Sequence, residues 1–405
     1  MVSLASLHRI EKRLQQASCN MRPFGGYSII LFGDFWQLPP VADRALYYNV
    51  HQDRPAQDTT AQDTTATDIG SAVAHASQPN VHRLPPTKGP SIEDISGFTK
   101  YRQFTESVEL KVQQRQQGNQ DAFKAALEGL RNSDVTLAHW ETLTTRCQAN
   151  LSLSEIRSFE DAIRLYPTGA MVNEFNHGCQ RDSKQPILKV SATHKTTDAI
   201  AAAATGSQAG QLEAQLDLCI GCKLMILENL WTERGIVNGT QCRLYDIVWR
   251  PGTDPRKDPP LCLLVAVPKE SYGGPYVEEY SFRGLSYAVV PIFRSKRDFW
   301  LNGETRYRTQ FPVKLAYALT IHKAQGMTLP KAVLNLTQGT KNVSVYYVGV
   351  SRVKRLEDVM FEEAFDLERL TAATTALQEM RQQDEEDDLY SSSQPPTHRR
   401  RIEQA

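Results

Sequence analysis

Apolar residues recur along this chain with two periods, and the switch between them marks the elements. Leu4, Leu7, Ile10 and Leu14 keep helical spacing, which predicts an amphipathic helix over about Ser3 to Ala17. Gly25-Gly26 then break the chain before Tyr27-Ser28-Ile29-Ile30-Leu31-Phe32, an apolar run expected to be a strand buried in a parallel sheet. Asn119 is placed to cap a helix that carries Phe123, Ala126, Leu127 and Leu130 on one face. Ala162 to Tyr166 reads as a further strand closed by Pro167-Thr168-Gly169. From Leu224 to about Phe293 the pattern becomes that of short strands: 224–227, 242–249, 261–267 and 287–293. Asn238-Gly239, Pro251-Gly252 and Pro259-Pro260 supply turns between them, Asn-Gly being the strongest hairpin signal. Helix, turn and buried strand ending in Gly-Asp, followed by a cluster of short strands, predict an α/β protein with a small barrel inserted.

Two stretches lack such a pattern. Residues 51–97 repeat Ala-Gln-Asp-Thr-Thr at 56 and 61 and then stay small and polar, so they are expected to be a disordered insertion, with order resuming near Phe104. Beyond Asp366 the chain is expected to turn helical and then to become a tail. That tail holds an acidic run at 384–388 and the cluster His398-Arg399-Arg400-Arg401, a weak nuclear signal.

Composition excludes little. The 405 residues are 40% hydrophobic and carry 46 basic against 46 acidic side chains, ordinary values for a soluble globular protein. The longest apolar runs (Leu261 to Val267, Ala199 to Ala204) are far shorter than a membrane span, so no membrane association is expected. Charge is uneven locally. Nine Lys/Arg stand between Arg283 and Lys331 against Asp298 and Glu304, which fits either a phosphate-holding stretch or a solvated basic face. An odd number of cysteines, seven, points to a reducing compartment. Cys219-Ile220-Gly221-Cys222 has redox or zinc spacing but no partner pair, and reads more simply as two buried cysteines of the following strand. No nucleophile–base pair or metal cluster is apparent.

The candidate chemistry lies at two separated places. Gly33 and Asp34 follow the first predicted strand, where an open α/β sheet binds ligands, and Gln37 can orient water or sense a phosphate. Far downstream, His322, Lys323 and Gln325 sit beside Gly326 inside the basic stretch, short donors next to a glycine that permits close approach to a phosphodiester. Arg352 follows Val348-Gly349-Val350-Ser351.

In order along the chain, these segments resemble the Pif (petite integration frequency) helicases, superfamily 1 motors that move 5′ to 3′ on single-stranded DNA. Gly33 to Val41 is similar to their motif III and Arg115 in 112–116 to motif IV. Leu165 to Thr168, with Val172 and Asn176, resembles the opening of the DNA-facing part of the second RecA-like domain. Asn229 to Thr232 with Gly235 to Gly239 resembles the hairpin leading into an SH3-like insertion, Thr320 to Thr328 motif V, and Tyr347 to Arg352 motif VI. The likeness covers about residues 1–50 and 100–365.

The resemblance implies tandem RecA-like domains, the first incomplete, with an SH3-like β-barrel in the second. By residue number it implies a first-domain remnant (1–50), the insertion (51–97), the second domain in two parts (98–228 and 305–366) around the barrel (229–304), and a tail (367–405). It gives Gln37, Arg115 and Arg352 the catalytic roles, Gly33, Asp34, Gln37 and Gly326 nucleotide contact, and Thr168, Asn238, Thr320, His322, Lys323 and Gln325 DNA contact. ATP and Mg²⁺ are the implied cofactors, and single-stranded, forked or quadruplex DNA the partner of a monomer in nucleus or mitochondrion. The family's phosphate-cradling Walker A loop and acidic Walker B pair precede motif III, and no G-x-x-x-x-G-K-[ST] occurs in these residues. An N-terminally truncated helicase without ATPase activity of its own is therefore expected. A non-enzymatic DNA-binding remnant is the alternative.

Overall fold

The computed structural model describes residues 2–40, 43–51, 89–106, 108, 110, 113–116, 118–195, 198–337, 343–371, 381, 383 and 384. Its helices are α1 (Leu4–Ser18), α2 (Ile92–Tyr101), α3 (Asp121–Asn132), α4 (Leu137–Thr144), α5 (Leu153–Arg157), α6 (Gly169–Asp182), α7 (Ala199–Ala203), α8 (Ile321–Ala324) and α9 (Val343–Val350). The strands are β1 (Ile163–Tyr166), β2 (Leu188–Ser191), β3 (Gln215–Leu218), β4 (Lys223–Ile226), β5 (Gln241–Val248), β6 (Cys262–Pro268), β7 (Glu278–Phe282), β8 (Leu285–Phe293), β9 (Ser295–Leu301), β10 (Glu304–Gln310), β11 (Val313–Leu315), β12 (Ala318–Thr320), β13 (Ala332–Leu334) and β14 (Val359–Phe361). The chain divides into two compact units. One is Met1–Asn150, Leu336–Glu357 and Glu363–Ala405, and the other is Leu151–Asn335 with Asp358–Glu362. None of the described helices is long and apolar enough to cross a membrane.

In the first unit α1 begins where expected, because the Ser3 hydroxyl accepts the Ser6 N–H and caps the helix. Its inner face is rotated from the expected one. Leu4 and Leu7 are buried, but Ile10 is 43% exposed, while Glu11 is inside and pairs with Lys100 of α2 at 2.9 Å. Helix α2 begins within the stretch expected to be disordered and runs past its end. Ser91 and Asp94 form a reciprocal capping box, and Asp94 also makes a buried ion pair with Arg44 at 3.0 Å. The rest of the expected insertion, residues 52–88, lies outside the described residues, as does most of the chain beyond Thr371.

Gly97 lets α2 come against α1, since a Cβ there would stand 1.9 Å from the Leu4 carbonyl oxygen. Gly97→Ala should therefore destabilise this unit by about 3 kcal/mol, read by urea denaturation. A cost below about 1 kcal/mol would show that the helices part easily.

The expected strand at 27–32 is extended but joins no ladder among the described residues. Ile29 and Leu31 pack against the cluster of Leu4, Leu7, Phe24 and Tyr101, while Ile30 and Phe32 are 74% and 85% exposed. A strand buried on both faces needs neighbours on both edges, and here only one face is covered. Helix α3 matches the expected face, with Phe123, Ala126, Leu127 and Leu130 all buried. Its N-cap is Gln120 rather than Asn119, and no side chain caps it.

The second unit is built on a parallel sheet of order β12-β1-β13-β14. Beside it in sequence lies an antiparallel sheet of order β11-β4-β5-β6-β8-β7, whose apolar cluster includes Leu224, Ile226, Leu244, Leu263, Val265 and Val290. Strands β4, β5, β6 and β8 fall on the four runs expected from the sequence. Asn238-Gly239 does not form a two-residue hairpin. It turns the chain within a long β4–β5 connection, where the Thr240 N–H donates to Val237 O at 3.0 Å and Gly239 alone of the pair takes positive φ.

Candidate nucleotide and nucleic-acid sites

In the first unit Gly33 leads into a turn at Asp34, where Gln37 N–H donates to Asp34 O at 3.1 Å. The Asp34 carboxylate folds back to accept the Trp36 N–H at 3.0 Å and the Gln37 amide at 3.3 Å. The same carboxylate receives the Tyr347 hydroxyl of α9 at 3.4 Å and lies 3.8 Å from Arg131 Nε of α3. Burial first, then the Asp34 charge, pushes the Tyr347 phenol up to about 12, so it stays a donor at neutral pH. Trp36 is buried with two guanidinium groups over it, Arg381 at 4.0 Å and Arg131 at 5.5 Å from the ring centroid.

Arg352 leaves the end of α9 and is 2% exposed. Its Nε donates to Val348 O and its Nη2 to the Ser351 hydroxyl, both at 2.6 Å. Arg115 reaches the same turn and donates to Ser351 O at 3.0 Å, while Gln116 donates to Val353 O at 2.9 Å. Desolvation, then the neighbouring Arg115 charge, depresses the Arg352 guanidinium to about 10. Two cations held together against their mutual repulsion form a site that an anion stabilises. Gly33, Asp34, Gln37, Arg115 and Arg352 are thus gathered in one unit. Tyr347, Arg131 and Trp36 join them without having been assigned roles from the sequence. Tyr347 stood inside the motif that carries Arg352, whereas nothing local marks Arg131.

In the second unit β1 and β12 are adjacent and parallel, with Tyr166 opposite Thr320. Both chains therefore leave the carboxyl edge of the sheet side by side, where open α/β sheets bind ligands. Thr168 caps α6 by accepting Met171 N–H, and Thr320 caps α8 by accepting Lys323 N–H at 3.2 Å. Asn176 fixes this arrangement. Its side chain accepts from Ala318 N at 2.8 Å and donates to Ala318 O at 3.3 Å, fastening α6 to β12.

After one turn of helix, Ala324 to Met327 close a type II turn, with Gln325 at φ −57° and Gly326 at φ +83°. A side chain at 326 would be strained, so the glycine is required by the backbone. Gly326 lies in this unit beside His322 and Gln325, not in the unit that holds Gly33 and Asp34. Burial first, then the Arg297 charge, lowers the Lys323 ammonium, and burial first, then the Lys323 charge, lowers Lys314. Asn238 is exposed, and its backbone N–H donates to Asn229 Oδ1 at 2.9 Å.

At least four of the nine basic residues in that stretch bond within the fold. Arg308 is fully buried and donates to Leu212 O and Ala204 O, each at 2.8 Å, and to Ala201 O. Arg306 pairs with Asp198 at the start of α7, Arg297 donates to Gly210 O, and Arg294 donates to Thr309 O at 3.0 Å. These arginines satisfy backbone carbonyls and a helix cap, which a count of charges cannot distinguish from surface.

No protein-family model matches the chain. It is 26% identical over 393 aligned positions to the ATP-dependent DNA helicase Pif1 of Psychrobacter sp. (strain PRwf-1), covering 88% of this chain and 51% of that protein. It superimposes on the crystal structure of the Candida albicans Pif1 helicase with a TM-score of 0.62 at 20% identity, covering 95% of this chain and 74% of the other. The chain is thus similar in sequence to Pif1 helicases and shares their fold. A Bacteroides Pif1 helicase in complex with ADP-AlF3 and single-stranded DNA gives a TM-score of 0.58 at 20% identity, covering 96% and 74%. The fold is thus the α/β fold of Pif1 helicases, which are ATP-dependent enzymes on DNA. The chain spans about half the length of the Psychrobacter helicase.

Proposed function

We propose that this chain supplies the arginine pair and part of the DNA grip of an ATP-dependent 5′–3′ DNA helicase of the Pif1 type. The observation that carries the reading is the Asp34–Tyr347 link, which ties the Gln37 turn to the helix that delivers Arg352, with Arg115 beside it. ATP fits this group at its terminal phosphate, where Arg115 and Arg352 would meet the charge that grows during transfer and Gln37 would orient water. Among the described residues no group of three or more His, Cys, Asp or Glu could hold a metal ion, so no step is assigned to Mg²⁺. Thr168, Thr320, His322, Lys323 and Gln325 would hold the sugar–phosphate backbone of single-stranded DNA without reading its sequence. The antiparallel sheet corresponds to an SH3-like insertion in this reading. Forked and quadruplex DNA are the substrates, and repair, recombination and telomere maintenance in the nucleus, by a monomer, are the setting.

Two measurements on the purified chain test this. Fluorescence anisotropy should show binding to single-stranded DNA, and Lys323→Ala should reduce the slope of log affinity against log salt by about 0.7, the loss of one phosphate contact. An unchanged slope would remove Lys323 from the interface. ATP hydrolysis by the same 405-residue chain should not exceed background, because it contains no phosphate-cradling loop. A non-enzymatic DNA-binding remnant is the alternative reading. An in-frame G-x-x-x-x-G-K-[ST] followed by Asp-Glu in the coding DNA upstream of Met1 would decide for the helicase.

A further inference from the structure

Cys219 and Cys222 do not belong to a strand, as their sequence context suggested, but form the turn between β3 and β4. Cys222 N–H donates to Cys219 O at 3.0 Å and Gly221 takes φ +81°, the geometry of a type II turn. That turn is clamped to β5, because Gly221 N–H donates to Leu244 O at 2.7 Å and Leu244 N–H donates to Cys222 O at 2.9 Å. The backbone thus holds the ends of the turn at a separation that a disulfide spans. The two thiols influence each other across the turn, and the Cys219 sulfur lies 3.9 Å from the Ser183 hydroxyl of α6. Both are buried, while the two residues between them, Ile220 (47% exposed) and Gly221, are at the surface.

We propose that Cys219 and Cys222 are an oxidisable dithiol, closed to an intramolecular disulfide by a small peroxide. Cys219 is the attacking sulfur. The Cys222 hydrogen bond first, then those of Ser183 and Gln180 from α6, lower its thiol to about 6 against the opposing effect of burial, so it is largely thiolate at neutral pH. Cys222 is held in the opposite sense, well above an ordinary thiol, by donating that hydrogen bond and by burial. The other titratable groups beside the pair are Tyr317, near both sulfurs, and Cys242 of β5 beside Cys222. None of these carries a positive or negative charge at neutral pH.

The chemistry balances with peroxide as the oxidant. The Cys219 thiolate attacks one peroxide oxygen, the O–O bond breaks, and the departing hydroxide takes a proton to become water. Cys219 is then a sulfenic acid. Cys222 attacks that sulfur and gives up its proton, the S–S bond forms, and the S–O bond breaks to release a second water. Two thiols are oxidised and one peroxide is reduced. Since the crosslink closes a loop of only four residues, it should be read chemically rather than by melting temperature.

The test treats the purified chain with hydrogen peroxide, then denatures it, alkylates it with N-ethylmaleimide and weighs its peptides. The 219–222 peptide should be lighter by two hydrogens and unalkylated, while Cys242, fully buried with its thiol pushed up to about 12, should be recovered alkylated. The rate should rise through about pH 6 and level off by neutrality, whereas an ordinary thiol continues to gain through about pH 8.5. Cys222→Ser should leave a sulfenic acid at Cys219 that dimedone traps, and Cys219→Ser should leave Cys222 unoxidised. Recovery of the 219–222 peptide fully alkylated, at a peroxide dose that oxidises the exposed Cys19, would overturn the proposal. So would a rate that follows the ordinary thiol range.

Discussion

Arg352→Ala should lower ATP hydrolysis by about a thousandfold in any polypeptide that adds a phosphate-cradling loop to these residues. Arg352 already spends part of its donor capacity on Val348 O and Ser351 Oγ, so its head group is fixed before nucleotide arrives. A fixed cation costs no reorganisation as charge builds on the phosphate, and that is where electrostatic catalysis is strongest. Arg352→Lys should not restore the rate, because an ammonium cannot keep the two anchoring bonds and still face an anion. Nucleotide affinity should change much less than turnover, the mark of an interaction made in the transition state. Steady-state kinetics with a separate nucleotide-binding titration would show it. An equal loss in both would make Arg352 a binding residue only.

Arg308→Ala should unfold the second unit at a markedly lower temperature, with a cost of about 3 to 5 kcal/mol. The side chain is 0% exposed and its guanidinium joins the carbonyls of Ala201, Ala204 and Leu212. Those of Ala201 and Ala204 belong to the end of α7, where a helix leaves carbonyls without internal partners. Removing the fork leaves all three buried without this donor. Burial lowers the Arg308 guanidinium slightly, but no accessible pH neutralises it, so the effect should not depend on pH between 6 and 9. Lysine should not substitute, since it lacks a planar fork to join three acceptors. Thermal and urea denaturation measure this, and a loss under about 1 kcal/mol would mean that water replaces the fork.

The sequence was legible where periodicity and burial coincide. Phe123, Ala126, Leu127 and Leu130 face inward as expected, and the four apolar runs after Leu224 are strands, because a hydrophobic side chain has one favourable destination. Glu11 shows the limit. Its burial depends on Lys100, a residue 89 positions away that no local pattern reveals. The two polar strands β9 and β10 were hidden for a related reason. Their arginines fitted either a phosphate-holding stretch or a solvated basic face, yet they bind carbonyls and Asp198 within the fold. The candidate sites were legible because glycines and short polar side chains at strand ends have narrow uses. Arg131 and Tyr347 were not, since their part comes from meeting Asp34 across the unit.

The alternation at residues 28–32, with Ile29 and Leu31 inward and Ile30 and Phe32 in water, has a practical meaning for handling the protein. An extended apolar segment that joins no ladder among the described residues offers its N–H and C=O groups to whichever backbone arrives first. At the concentrations used for scattering or crystallisation, that invites edge-to-edge stacking between copies. Any self-association measured for the isolated chain would report this short segment before it reported an assembly with a biological purpose.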